Sequence, residues 1–332
     1  MTELKAPTYA RVAITGASGF VGRHLVPKLA ASRYSLVTLS RSGTKSTNVR
    51  DVVLPDYSDA SALRAALVGV ESVVHLAARA HQRSSGGVES DERLFLEANV
   101  DSALAVARAC MNARVRRLIF LSSIGVHGSR THGQPFTEAD VPQPEDLYAA
   151  SKLQAELEIR RALAGSATQL VVLRPPLVYG PGAPGNFGRL LRTIRKLPLV
   201  PLGGLHRQRS LIHIDNLCDA IERAIWHPQA VGQSFVLCDG EDVTIAQIAR
   251  ELVKGIGRSE DCVINVPEGW LRGAASALGQ GAMFNKLAGE LRVDASAFRV
   301  ATGWHPPLRA LDALRATAAA SREDSSQPRH LA

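Results

Sequence analysis

The segment "VAITGASGFVG", Val12–Gly22, restricts this chain more than any other stretch of its sequence. Glycines recur at Gly16, Gly19 and Gly22, three apart each time, between an apolar run and a helical pattern. A strand that turns tightly into a helix presents unpaired N–H groups and the positive end of the helix dipole, so a pyrophosphate is held without a dedicated cation. A plain strand-to-helix turn does not need three spaced glycines. The spacing therefore predicts a dinucleotide-binding βα unit at the start of the fold, looser than the common G-x-G-x-x-G loop.

The first half of the chain supports that architecture. Short apolar, β-branched runs at Arg11–Thr15, Ser35–Ser40, Ser72–Leu76, Leu118–Ser122 and Gln169–Arg174 predict strands. Helical patterns lie between them at Val21–Ala31, Ala60–Val68, Asp91–Ala113 and Asp146–Leu163. Strands alternating with helices predict an α/β fold: a doubly wound parallel sheet of the Rossmann type, with its ligand crevice beyond the strand C-termini. From Tyr179 onward, Gly- and Pro-rich pieces such as "YGPGAPGNFG" and "LPLVPLGG" break the pattern and predict a smaller α/β substrate lobe. The expected division is a dinucleotide-binding domain over 1–178, with returning segments near 210–240, a substrate lobe over 179–320, and a flexible tail over 321–332.

Composition narrows the partners. The chain of 332 residues carries a net charge of +8, but its Lys and Arg are scattered, which suits an anionic small ligand and argues against nucleic acid. Cys110, Cys218, Cys238 and Cys262 are far apart with no C-x-x-C pair, so neither a disulfide framework nor a metal site is expected. Cys110 and Cys218 fall in helical patterns and are read as packing residues. "MTELKAPTYA" does not read as a signal sequence and no apolar run is long enough for a transmembrane segment, so a cytoplasmic protein is expected.

Two further features suggest chemistry. The second predicted strand ends in Ser40 and Arg41, where an NAD-specific site usually carries an acid for the ribose hydroxyl. Arg41, if it does not simply face solvent, pairs with a 2′-phosphate, which favours NADP over NAD. In "EDLYAASKLQAE", Tyr148 and Lys152 stand four apart on one helix face. A nearby ammonium favours phenolate, which makes a tyrosine usable as an acid or base at a carbonyl–alcohol centre. Such a pair arises by chance in many helices; its place just after "IFLSSIGVHG" is what singles it out. There Ser122 and Ser123 end a strand, either capping it or aiming a hydroxyl into the crevice. Asn99 is polar on a largely apolar helix, either exposed or bonding backbone and holding a water near the lysine. His75 and His127 are read as packed residues, and His81, in "RAHQRSSGG", as part of a lid.

Taken together, the three glycines, "HLAA" at 75–78, Asn99, "SSIGVHG", Tyr148/Lys152 and "RPPLVYGPG" resemble the extended short-chain dehydrogenase/reductases, and within them the NAD(P)-dependent nucleotide-sugar epimerase/dehydratase branch, from Arg11 to Leu314. The resemblance implies that Tyr148 moves a proton, Ser123 polarises the reacting carbonyl, Lys152 lowers the tyrosine pKa and bonds the nicotinamide ribose, and Asn99 completes the catalytic group. It implies a cofactor wall of Gly16, Ser18, Gly19, Phe20, Val21, Gly22, Arg41, Asp56 at the adenine, Tyr57, Leu76, Ala77 and Ala78. Asn186 and Arg209, with Arg292 more distantly, would bind the substrate diphosphate, and Asp215 would cap the helix after Arg209. Leu177 and Gly125 depart from the family pattern by replacing polar residues that hold a hexose. The closest likeness is to reductases of UDP-4-keto-6-deoxy-N-acetylhexosamines acting at C4. The alternatives are a UDP-sugar 4-epimerase and a non-catalytic NADP sensor. The resemblance further implies a homodimer paired through the helices that carry Asn99 and Tyr148.

Overall fold

The computed structural model describes residues 10–44, 49–80 and 88–326, except 278, 280, 282, 283 and 285–287. The expected lid around His81, the first nine residues and residues 327–332 of the expected tail lie outside that set. The strands are β1 (Arg11–Thr15), β2 (Ser35–Ser40), β3 (Arg50–Val53), β4 (Ser72–His75), β5 (Arg117–Leu121), β6 (Gln169–Arg174), β7 (Leu177–Tyr179), β8 (Gln208–His213), β9 (Ser234–Val236) and β10 (Asp242–Thr244). Helices α1 (Phe20–Ala31), α2 (Ala60–Ala66), α3 (Val88–Phe95), α4 (Ser102–Asn112), α5 (Leu147–Leu163), α6 (Gly185–Lys196), α7 (Ile214–Trp226), α8 (Ile245–Gly255) and α9 (Glu268–Ala277) connect them, and helices Ser296–Thr302 and Ala310–Ser326 follow.

Seven strands form one parallel sheet in the order β3-β2-β1-β4-β5-β6-β9. Strand order reverses at β1, which pairs with β2 on one side and β4 on the other, so a crevice opens beyond their C-termini. Alternation along β1 decides the two covering layers. Val12 and Ile14 pack on one face with Leu25 and Leu29 of α1 and Leu217 and Ile221 of α7. Ala13 points to the other face, toward Val106 of α4 and Ala155 and Ile159 of α5. A second sheet, β10-β8-β7, belongs to the smaller lobe.

Several expectations change. Strand β3 was not legible: "RDVV" is short, half polar and exposed at the sheet edge, where only its pairing with β2 defines it. The helix expected over Asp91–Ala113 is interrupted by a π-turn at Leu96–Asp101. Ser296–Thr302 and Trp304, assigned to the substrate lobe, pack into the dinucleotide-binding core, with Phe298 against Phe235 at 5.0 Å and against Trp304 at 5.5 Å. The expected tail begins as helix, because the last helix continues through Ser326. The cap of α7 is His213, whose Nδ1 accepts the Asp215 N–H at 3.3 Å; Asp215 sits inside the first turn instead.

Candidate active site

The crevice is a cleft of about 880 Å³ between the two sheets. At one end stands the glycine loop. Gly16 has φ +66°, and a Cβ there would lie 2.6 Å from the Ala77 backbone nitrogen. At Gly22 a Cβ would lie 2.5 Å from the carbonyl oxygens of both Gly16 and Ala17. Backbone packs against backbone here, and only glycine permits it. Gly19 precedes α1 with no side-chain cap, so the first N–H groups of α1 are left for a ligand at the cleft, which Gly16, Gly19, Phe20, Val21, Gly22, Leu76 and Ala78 all line. These features fit a dinucleotide pyrophosphate.

Not every expected cofactor contact reaches the cleft lining. Ser18 is exposed on the loop, and Ala77 packs behind it, its N–H directed at Thr15 Oγ1 at 3.4 Å. Arg41 is exposed just beyond β2. Asp56 is also exposed, and its carboxylate accepts the Ser58 N–H at 2.8 Å and hydroxyl at 2.5 Å, which holds it below the usual carboxylate range. Tyr57 is half-buried, edge-on to His75 at 6.2 Å, and burial pushes its phenol up.

Ser123, Tyr148 and Lys152 all line this same cleft. Ser123 follows β5, where its Oγ accepts the Gly125 N–H at 3.1 Å and caps the short 3₁₀ turn Ile124–Val126. Asp146 caps α5 by accepting the Ala149 N–H at 2.9 Å, which fixes the helix start two residues before Tyr148. One turn on, the Lys152 ammonium lies 4.0 Å from the centroid of the Phe120 ring. The expected electrostatics change in this cleft. Burial, reinforced by Asp146, pushes Tyr148 up to about 12, and burial pushes Lys152 down to about 7 although Glu156 opposes it. Burial is the first cause of both shifts, since low polarity disfavours either charge.

Asn99 does not line the cleft. The π-turn directs its side chain to the Arg79 backbone, accepting from N–H at 2.7 Å and donating to C=O at 3.1 Å, while Nδ2 also donates to Ser151 Oγ at 2.9 Å. It ties the loop after β4 to α5. His75 is buried, with Nδ1 2.8 Å from Thr15 Oγ1 and its ring stacked on Phe120 at 5.8 Å. His127 is buried too: Arg174 donates to its Nε2 at 2.9 Å, and it stacks on Phe136 at 5.6 Å.

In the smaller lobe, Asn186 and Arg209 line the far part of the cleft. Arg209 also donates to the Gly289 carbonyl at 2.5 Å, and burial lowers its guanidinium to about 10. Arg292 is elsewhere. It pairs with Asp242 at 2.9 Å and borders a separate cavity of about 210 Å³. Sequence reasoning missed the buried pair Glu156–Arg174 behind Ser122; a carboxylate one turn after Lys152 on an otherwise packed face was the available signal.

Among the described residues, no group of three or more His, Cys, Asp or Glu side chains could hold a metal ion, and no helix is long and apolar enough to cross a membrane. Comparison with known proteins agrees with the cleft. A UDP-glucose 4-epimerase of Vibrio cholerae is 33% identical over 312 residues, covering 93% of this chain and 94% of its own. The N-acetyl-alpha-D-glucosaminyl-diphospho-ditrans,octacis-undecaprenol 4-epimerase of Escherichia coli O157:H7 is 27% identical, covering 74% and 72%. The solved UDP-glucuronic acid 4-epimerase of Bacillus cereus, in complex with NAD, shares the fold at a TM-score of 0.75 and 21% identity, covering 94% of this chain and 99% of that one. Residues 12–238 match the NAD dependent epimerase/dehydratase family. With its glycine loop and its Ser-Tyr-Lys group on one cleft, the chain belongs to that family and is an enzyme of the short-chain dehydrogenase/reductase type.

Proposed function

We propose that this enzyme acts at C4 of a nucleotide sugar, reducing a UDP-4-keto-6-deoxy-N-acetylhexosamine with NADPH in the supply of surface-polysaccharide sugars. The observation that carries the reading is that Ser123, Tyr148 and Lys152 line the same cleft as the glycine loop and Arg209. The bound nicotinamide dinucleotide supplies hydride to C4. Every other part of the step falls to the chain. Ser123 donates a hydrogen bond to the C4 oxygen, and Tyr148 Oη delivers the proton that turns it into a hydroxyl. A phenol at about 12 retains its proton at neutral pH, which suits a donor in the reductive direction. Lys152 would hold the nicotinamide ribose and, as an ammonium, offset the negative charge left on the phenolate. Asn186 and Arg209 hold the substrate diphosphate, the arginine through its planar fork. Two anchored anions fix the distance between the reacting carbons.

Ile124, Gly125, Pro175, Pro176 and Leu177 form an apolar part of the cleft lining, beside polar side chains that include Ser129, Asp146 and Thr193. A deoxy carbon set against the apolar part would leave no hydroxyl desolvated there. Arg41, exposed beyond β2, supports the choice of NADP, set against Asp51 of β3, whose carboxylate reaches the same loop and accepts the Thr44 N–H at 2.6 Å. A homodimer through the helical segments that carry Asn99 and Tyr148, in the cytoplasm, completes the reading. The second reading, a UDP-sugar 4-epimerase, is favoured by the Vibrio relative. Incubation with each substrate separates them. NADPH consumed in proportion to the ketone, and none with UDP-N-acetylglucosamine, supports reduction; interconversion of C4 epimers with no net cofactor loss overturns it.

A further inference from the structure

The register of the large sheet builds a row of side chains beneath the cleft. Thr15 of β1 pairs with His75 of β4, and His75 pairs with Phe120 of β5. All three are buried. They point to the face that α4 and α5 cover, because Ala13, Val73 and Leu118, two residues earlier in each strand, pack there. The row is tied along its length. Thr15 Oγ1 lies 2.8 Å from His75 Nδ1, and the imidazole stacks on the Phe120 ring at 5.8 Å with 14° between their planes. Tyr57 meets His75 edge-on at 6.2 Å. The Phe120 ring is therefore held in one orientation by the strands and by the ring beside it.

Lys152 ends over that ring. The residue is 1% exposed, and its Nζ stands 4.0 Å from the Phe120 centroid. Among the described residues no carboxylate forms an ion pair with it: Glu156, one turn further along α5, is engaged by Arg174 and Ser122. The titratable groups around the ammonium are Tyr148 and Glu156 on its own helix and His75 from β4. Burial keeps His75 neutral, with a pKa of about 3, so the stack brings no competing cation. An aromatic face carries the negative side of the ring quadrupole, and its pull on a cation is strongest where water is excluded. Leucine or isoleucine would fill the same core site on β5. Only an aromatic ring fills it and attracts the charge as well.

We propose that Phe120 is a positioning residue for Lys152, its ring face seating the ammonium by cation–π attraction at the wall of the cleft. The lysine's part in the reaction rests on the function proposed above, but its seating can be read without cofactor or sugar. The experiment labels the full-length protein with lysine carrying 13C at Cε and follows the Lys152 resonance, assigned by its loss in Lys152→Arg, against pH. Phe120 is replaced site-specifically by mono-, di- and trifluorinated phenylalanine, which keep the shape of the ring and withdraw electron density from its face step by step. Circular dichroism reports folding. The titration midpoint should fall with each added fluorine, by about one pH unit in the trifluorinated protein. Phe120→Leu, which keeps an apolar side chain without a ring, should fall at least as far. A midpoint that stays fixed across the folded fluorinated proteins overturns the proposal and leaves Phe120 a packing residue, and so does an unchanged midpoint in folded Phe120→Leu. A sugar reductase assay that failed in the parent protein would refute the substrate reading alone, since the resonance needs no turnover.

Discussion

Gly22 offers the sharpest test of how the cleft is built. Alanine at this position sends a Cβ to 2.5 Å from two backbone oxygens, Gly16 O and Ala17 O, whereas ordinary contact begins at 3.4 Å. Neither oxygen belongs to a movable side chain, so loop and helix must part by about 0.9 Å in a close-packed interior. Forcing a methyl into such a site costs about 1–3 kcal/mol. If the loop gives way rather than the core, that cost falls on the bound geometry and weakens the dinucleotide by roughly 5- to 150-fold. Titration of Gly22→Ala with NADPH, followed by nucleotide fluorescence, measures it. Gly273→Ala is the control, because a Cβ there meets nothing within 4 Å. Parent-like affinity and thermal stability in Gly22→Ala would refute the account of the loop, since a backbone clash of this size cannot vanish without consequence.

Tyr148→Phe removes the proposed proton donor and should lower kcat/KM by roughly 10²- to 10⁴-fold, with NADPH binding retained in the same fluorescence titration. His75 is neutral when folded, held at about 3 by burial and Lys152, against 6.5 for a free imidazole. The folded state resists its protonation, so the stability it contributes is present above pH 6.5 and is lost as pH falls toward 3. Urea unfolding of the parent at pH 6.5 and pH 5 should show a loss of about 2 kcal/mol from this group, absent in His75→Phe. Arg41→Asp should reverse the ratio of kcat/KM for NADPH over NADH, and an unchanged ratio would remove Arg41 from cofactor choice. Arg209→Met should raise the KM for the nucleotide sugar and leave cofactor affinity unaltered, as read by initial rates at saturating NADPH.

Local sequence carried the framework because its signals are local. The glycine spacing, the five apolar runs and the Tyr148/Lys152 interval each report a conformation or a helix face set by neighbouring residues. Those features determined the parallel sheet, the place of the crevice and the identity of the group at its centre. Tertiary structure alone decided the rest. The edge strand β3 exists because β2 offers it a ladder, and Phe298 and Trp304 join the first lobe because Phe235 leaves them a packing site. Arg292 looks from sequence like a phosphate ligand until Asp242, fifty residues away, is seen to hold it. The same applies to charge: spacing put an amine beside a phenol, but burial, a property of the whole fold, is the first cause that shifts the pKa of each.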